Sequence, residues 1–386
     1  MLGVKTRIFR KRNGAGAACK WTLAVIGLVA STGCSSPRKI PAKGSLQDYA
    51  ISTTVDDESA KYYLECYLAG KVQDLRLHQR IEKIHEQFRE DLPSREQLKK
   101  ISTGFSVDFA ALVFGNQLLK QEGNARLQRQ FLKNFERVEN GTVNYPKREM
   151  LIMFVPGYDY VANGRKTGAD FARPIKLLEQ AGYDVQLVKI DPLGSVEENA
   201  AYLAKSILSN RQCKIALAGA SSAGPAIHLA LGKLLKPDEL ANVRAWLNLG
   251  GILQGVPVLD KFSSGAKGRL FSTILWFKGW KWSSFESMYT PVSRKRFATL
   301  AVPAHIAVYN YVSLSLSGNI SNFARDKYLM MREDGPNDGL TLLPDIVAPN
   351  SLSILSPNTD HFFAEDPKID SKTLALLVTI LERMAD

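Results

Sequence analysis

From Met150 to the C-terminus the chain repeats one unit, and this repetition limits the fold more than any other feature. Short, continuously apolar runs ("MLIMFVPG", "YDVQLVKI", "CKIALAG", "VRAWLNLGG", "AHIAVYNYV" and "SLSIL") are interleaved with segments of helical period. The helical segments are predicted at about 170–181, at "SVEENAAYLAKSIL", from about Ala223, and at "SKTLALLVTILERM". A run that is apolar on both faces suits a strand covered on both sides, and its alternation with helices predicts a parallel sheet between helical layers. Ser195 with Glu198 three positions on reads as a capping box opening one of those helices. In such sheets ligands bind beyond the carboxyl ends of the strands. The residues that follow each apolar run are therefore where chemistry is expected.

The N-terminal part reads differently. Residues 46–140 have apolar positions at three- and four-residue steps and predict a small helical accessory domain, ahead of an α/β domain over 148–386. His78 and His85 fall in the charged stretch "LRLHQRIEKIHEQFRE" and read as part of a solvated helix face. Residues 1–33 carry six basic and no acidic side chains and account for half of the formal net charge of +12. A basic start, the apolar run Trp21–Ala30 and small residues before a cysteine read as an export signal, too short to span a bilayer. "STGCSSP" resembles a bacterial lipoprotein signal, which implies lipidation of Cys34, a polar tether over 34–45 and a cell-envelope location. Ser31 stands where such signals have an aliphatic residue, and plain cleavage with release is the other reading. Cys66 and Cys213 are left as a disulfide pair or as two thiols. The remaining charge is too mild for nucleic acid, and there is no P-loop or zinc-like Cys/His spacing.

One turn stands out, "GASSAG" after the run "CKIALAG". A nucleophile between strand and helix needs small residues two before and two after it. Ser221 has Gly219 and Ala223, and Ser222 has Ala220 and Gly224, so spacing alone leaves both open. Serine chemistry also needs an imidazole as proton acceptor and a carboxylate to orient it. Of the five histidines, His228 lies inside a helix and His305 in an apolar run, both reading as packing. His361, in "SPNTDHFF", follows the last short strand, and Asp338, in "REDGPNDGL", sits in a Gly- and Pro-rich loop before it. Asp334, Asp345 and Asp360 are the other candidate carboxylates. The order Ser, Asp, His is that of one known hydrolase architecture.

On these residues, 148–384 resemble the α/β-hydrolases, nearest their bacterial lipase and esterase branch. "GASSAG" is similar to the branch's Gly-His-Ser-x-Gly-Gly turn, "LGGILQGVPVLD" to its Gly-Thr-Pro-x-x-Gly-Ser-Pro run, "NDGL" to its acid loop and "DHFF" to its histidine ending. Laid this way, Ser221 is the nucleophile, with Ala220 and Ala223 as departures from the pattern. The resemblance implies a parallel sheet with helices on both faces, a triad of Ser221, Asp338 and His361, and no metal or organic cofactor. An oxyanion hole needs the amide after the nucleophile, Ser222, and one from the loop "PGYDY", for which Tyr158 is the candidate. Residues 254–298 fall where the family carries a cap. Trp276, Trp280 and Trp282, interleaved with lysines, suit either a membrane interface or an apolar cap. The expectation is an exported serine hydrolase of carboxylic esters with lipid or medium-chain acyl groups. A silent envelope-binding scaffold and an acyltransferase using the same triad are the alternatives. The oligomeric state is not readable.

Overall fold

The computed structural model describes residues 37–384 apart from 90, 147 and 148, so the expected signal peptide and Cys34 lie outside the described residues. The described chain opens on an antiparallel hairpin, β1 (Ile40–Leu46) and β2 (Tyr49–Val55). Most of the second half of the segment expected as a tether is thus a strand. Ala42, Leu46, Ile51 and Val55 alternate with polar neighbours and are buried on one face. Helices α1 (Glu58–Tyr62), α2 (Leu75–Glu86), α3 (Arg95–Gly104), α4 (Val107–Lys120) and α5 (Glu122–Glu139) follow.

The region 46–140 shares a core with the sheet. Every residue of α4 from Val107 to Leu119 is buried. Phe109, Leu112 and Val113 belong to one cluster with Val312, Leu314 and Leu355 from the last two strands of the sheet. α5 answers a second need. Strand β8 (Leu352–Pro357) is at the sheet's edge, where backbone groups lack a neighbouring strand. The Gln128 side chain accepts from Leu355 N at 2.8 Å and donates to Leu355 O at 3.1 Å, and Asn124 Oδ1 accepts from Ser353 N at 2.8 Å. Side-chain amides on a helix here stand in for a missing strand.

His85 differs from its expectation. It is buried, with Nε2 2.9 Å from the Tyr63 hydroxyl, and burial lowers its pKa to about 4. The partner is twenty-two positions away, so the charged local sequence carries no sign of it.

The sheet itself follows the sequence pattern. Strands β3 (Leu151–Val155), β4 (Asp184–Leu187), β5 (Ile215–Ala220), β6 (Val243–Leu249) and β7 (Ala307–Leu314) join β8 in the order β4-β3-β5-β6-β7-β8, every neighbouring pair parallel. Helices α6 (Tyr160–Thr167), α7 (Ala172–Gln180), α8 (Val196–Ser209) and α9 (Ala223–Leu229) connect the first strands. Both hydrogen bonds of the Ser195–Glu198 capping box are present at α8. The insertion after β6 holds α10 (Pro257–Asp260), α11 (Gly265–Lys278), α12 (Trp282–Glu286) and α13 (Thr290–Phe297). α14 (Arg325–Met331) precedes the Asp338 loop, and α15 (Ile369–Arg383) closes the chain. The chain runs from β3 outward to β4, then returns to β5 on the other side of β3. The loops after β3 and β5 therefore part in opposite directions and leave a crevice at their carboxyl ends.

Candidate active site

Ser221 follows β5 directly and sits in the left-handed region, φ 55°. Non-glycine residues avoid that region because Cβ crowds the backbone, so the conformation must be imposed by its surroundings. Ser222, with φ −63°, is unstrained and precedes α9 without a side-chain capping bond. This difference separates two serines that spacing could not. The turn is tight enough to exclude larger side chains nearby. A Cβ on Gly219 would lie 2.2 Å from Ile227 Cδ1, and one on Gly224 would lie 2.8 Å from the Gly251 Cα.

The partners arrive from the far end of the chain. His361 Nε2 lies 3.0 Å from Ser221 Oγ, and His361 Nδ1 lies 2.8 Å from Asp338 Oδ2. An ionised carboxylate can only accept, so Nδ1 carries the proton and Nε2 presents its lone pair to the Ser221 hydroxyl. Asp338 is fully buried, and its other oxygen accepts from the amides of Leu340 at 2.9 Å and Thr341 at 2.8 Å. The His361 amide donates to Asp338 O at 2.8 Å, so backbone as well as side chain ties the two loops together. Asn337 shapes the turn by accepting from Gly339 N at 3.0 Å, and Gly339 takes the left-handed φ of 93° that this needs.

The other candidate carboxylates are engaged elsewhere. Asp360 accepts from Ser321 N at 2.7 Å and Phe362 N at 2.8 Å, and burial raises its pKa. Asp345 pairs with Arg95, and burial pushes its pKa up to about 6. Asp334, 33% exposed, faces Lys99 at 3.7 Å. His228 is stacked on Trp246 and edged by Phe297, and His305 Nε2 lies 3.0 Å from Leu240 O, just before β7. Cys66 and Cys213 are both free thiols.

Among the described residues the Ser222 and Tyr158 amides have no backbone or side-chain acceptor. The β3 loop lies against Ser221, since a Cβ on Gly157 would be 3.6 Å from Ser221 Cβ. Gly157 N donates to Ala169 O at 3.1 Å, and the Tyr158 ring packs edge-on against Trp280 and Phe285 of the insertion. Burial raises the Tyr158 phenol's pKa.

The three tryptophans are dispersed. Trp280 touches the β3 loop, whereas Trp282 packs on Phe271 and Tyr289. Trp276 and its neighbour Phe277 stand 75% and 76% exposed on α11. None of the three lines the cavity of about 320 Å³ that opens at Ser221 and His361. That cavity was not anticipated, although the alternation of alanines at 216, 218 and 220 was there to be read.

Among solved structures, the metagenomic carboxyl esterase MGS0156 superposes with a TM-score of 0.50 at 20% identity, over 63% of this chain and 77% of its own. The fold is that of the α/β-hydrolases. The mature lipase BlEst2 of Bacillus licheniformis is similar with a TM-score of 0.47 and 20% identity, over 62% of this chain and 94% of that one. EstA from Clostridium botulinum gives 0.44 and 11%, over 63% and 90%. No protein-family model matches the chain, and no curated protein matches it. In this α/β-hydrolase fold the 254–298 insertion occupies the position after β6, above the carboxyl edge of the sheet.

Proposed function

We propose that the protein is a serine hydrolase that cleaves carboxylic esters through an acyl-enzyme. The observation that carries this reading is the relay from Asp338 through His361 to a serine held at positive φ. Ser221 Oγ attacks the ester carbonyl carbon while His361 Nε2 takes the hydroxyl proton. The carbonyl electron pair moves onto oxygen, which the Ser222 and Tyr158 amides receive. As the intermediate collapses, the C–O bond to the alcohol breaks and His361 returns the proton to it. Water then repeats the sequence on the acyl-enzyme and frees the acid. Asp338 keeps the imidazole in the productive tautomer and stabilises its charged form. The likeness of fold to a carboxyl esterase agrees with this choice of acyl chemistry.

We further propose export, with anchoring through a lipidated Cys34, and an acyl group of medium length or longer. The cap presents Leu270, Trp276 and Phe277, exposed by 60% or more, beside Arg269 and Lys278. An aromatic surface among cations suits a membrane interface. Among the described residues no helix is long and apolar enough to cross a membrane, so attachment would rest on the lipid and this surface.

The test is a fluorophosphonate probe together with p-nitrophenyl esters. Wild type should label and turn over, Ser221→Ala should do neither, and Ser222→Ala should retain substantial activity because only its amide is used. An adduct mapped to Ser222 would overturn the assignment. A wild-type protein that neither labels nor hydrolyses any ester would point to the silent scaffold.

A further inference from the structure

We propose that the substrate's acyl chain is held in the cavity between the sheet and helices α7 and α15, and not under the cap. This rests on the triad reading above and names the substrate class it serves, esters of a single unbranched chain of roughly a dozen carbons.

The cavity has Ser221 and His361 in its lining, and that lining extends back along β5. Ala220, Ala218 and Ala216 line it in turn, with Leu249, Leu247 and Ala245 from β6 and Phe154 and Ile152 from β3. α7 and α15 supply the opposite wall, including Leu178, Leu376 and Leu381. These strands are the middle of a six-stranded sheet, where side chains are normally sealed. Yet Ala216, Ala220, Leu247 and Leu249 are only partly buried. The cause is visible in the sequence. Side chains on a strand alternate between faces, so three alanines two apart remove bulk from one face only. On the other face Leu217 is buried and Gly219 meets Ile227 of α9. Space is opened on the α7–α15 side alone.

The dimensions suit a chain and little else. Five residues of strand, from Ser221 back to Ala216, span roughly 16 Å. A zigzag of carbon–carbon bonds of about 1.5 Å advances roughly 1.25 Å per carbon, which gives about a dozen carbons. The lining is aliphatic and aromatic along the strands, where the Tyr311 hydroxyl is already spent on Ser356, and the other polar side chains that reach it are Thr167, Arg173 and Thr373 on helices α6, α7 and α15, apart from Tyr158, Ser221 and His361 at the reacting end. A headgroup has no partners along the strands, whereas each methylene leaving water gains up to about fourfold in affinity. The position of Ser221 at the cavity's end places the scissile carbonyl there and leaves the alcohol portion outside.

The experiment compares kcat/KM for p-nitrophenyl esters from acetyl to hexadecanoyl in wild type, Ala218→Phe and Ala245→Leu. Wild type should prefer dodecanoyl over acetyl by on the order of a hundredfold and fall off beyond it. Ala218→Phe closes the cavity part-way and should bring that ratio to about one, with an optimum near or below about eight carbons. Ala245→Leu acts deeper and should cut only the longest chains. Because the added side chains fill space, neither variant should melt below wild type. A sharply lowered melting temperature would mean that the space is not there. Wild type fastest on acetyl esters, or a profile unmoved in both variants, would overturn the proposal while leaving the triad intact. Loss of probe labelling in wild type would instead overturn the triad. A structure of wild type inhibited by a dodecyl phosphonate decides independently: the chain should lie along Ala218, and a chain directed to Trp280 refutes the proposal.

Discussion

Replacing Asp338 by asparagine should disable the site while leaving the fold alone, because of how the two carboxylate oxygens divide their work. Oδ1 accepts two backbone amides, Leu340 at 2.9 Å and Thr341 at 2.8 Å, in a fully buried setting. In Asp338→Asn the carbonyl oxygen must stay with those amides, since leaving two buried donors unsatisfied costs about 1–3 kcal/mol each. The new amino group then faces His361 Nδ1, where Oδ2 accepted at 2.8 Å. Two donors cannot share that contact, so Nδ1 must become the acceptor and the ring proton moves to Nε2. Nε2 then points its proton, in place of a lone pair, at Ser221 Oγ 3.0 Å away. The base is lost through the tautomer. The comparable change in serine proteases lowers kcat by about 10⁴, or roughly 5.5 kcal/mol in the barrier. Steady-state hydrolysis of a p-nitrophenyl ester, with fluorophosphonate labelling rates and a melting curve, reads all three quantities. The expected result is a loss of about 10³–10⁴ in both rates with an unshifted melting temperature. Retention of more than about a tenth of wild-type kcat would refute the reasoning and send the search to Asp360, the carboxylate next to His361.

The pH dependence of stability should contain a term from His228. Burial lowers its pKa to about 4, so the unfolded state takes up a proton below its own pKa of about 6.5 and stability falls as pH drops through that window. The loss at about pH 5 is on the order of 2 kcal/mol, and His228→Phe should narrow the melting difference between about pH 8 and pH 5, whereas an unchanged difference would exclude a neutral buried His228. The double variant Trp276→Ala, Phe277→Ala should weaken binding to anionic vesicles without altering hydrolysis of a soluble butyrate ester; equal vesicle binding would remove the membrane role of α11. Cys34→Ala should shift the protein out of the detergent-extracted membrane fraction, and a wild type already soluble after fractionation would set the lipid anchor aside.

What could be read in the sequence was whatever local chemistry encodes. The apolar runs became strands β3 to β8 because their periodicity already described burial on two faces, and the Ser195 capping box needed only its own four residues. The Ser, Asp and His candidates came from loop position and chain order. What distinguishes Ser221 from Ser222 in the structure is a backbone angle in a turn packed on Gly219, Gly224 and the β6 loop, which no spacing rule contains. The amphipathic pattern of 46–140 said that these helices cover something, but not that α4 covers β7 and β8 or that Gln128 completes an edge strand. His85 was misjudged for the same reason, its partner Tyr63 being distant in sequence. The tryptophans of 276–282, interleaved with lysines, suit a membrane interface or an apolar cap equally in sequence; in space they divide among the solvent, the β3 loop and the insertion's own interior.

The stretch "ALAGASSAG" shows how one short segment can specify two features through a period of two. Leu217 and Gly219 face α9, and a Cβ on Gly219 would require the Ile227 side chain to move. That contact draws strand and helix together and helps to hold Ser221 at its strained φ. Ala216, Ala218 and Ala220 face the other way and line the cavity against α7 and α15. Larger residues on the first face would unmake the elbow; larger residues on the second would leave the elbow and fill the cavity. The two effects are separable by experiment. Gly219→Val should destabilise the fold and abolish labelling together, because the branched side chain would press on Ile227 and Ala223 of the helix that follows Ser221. Ala216→Leu adds bulk only at the cavity's far end, so it should leave labelling by a small fluorophosphonate unchanged. Equal loss of labelling in both variants would mean that the two faces are not independent, and that the alanines serve the turn instead of the cavity.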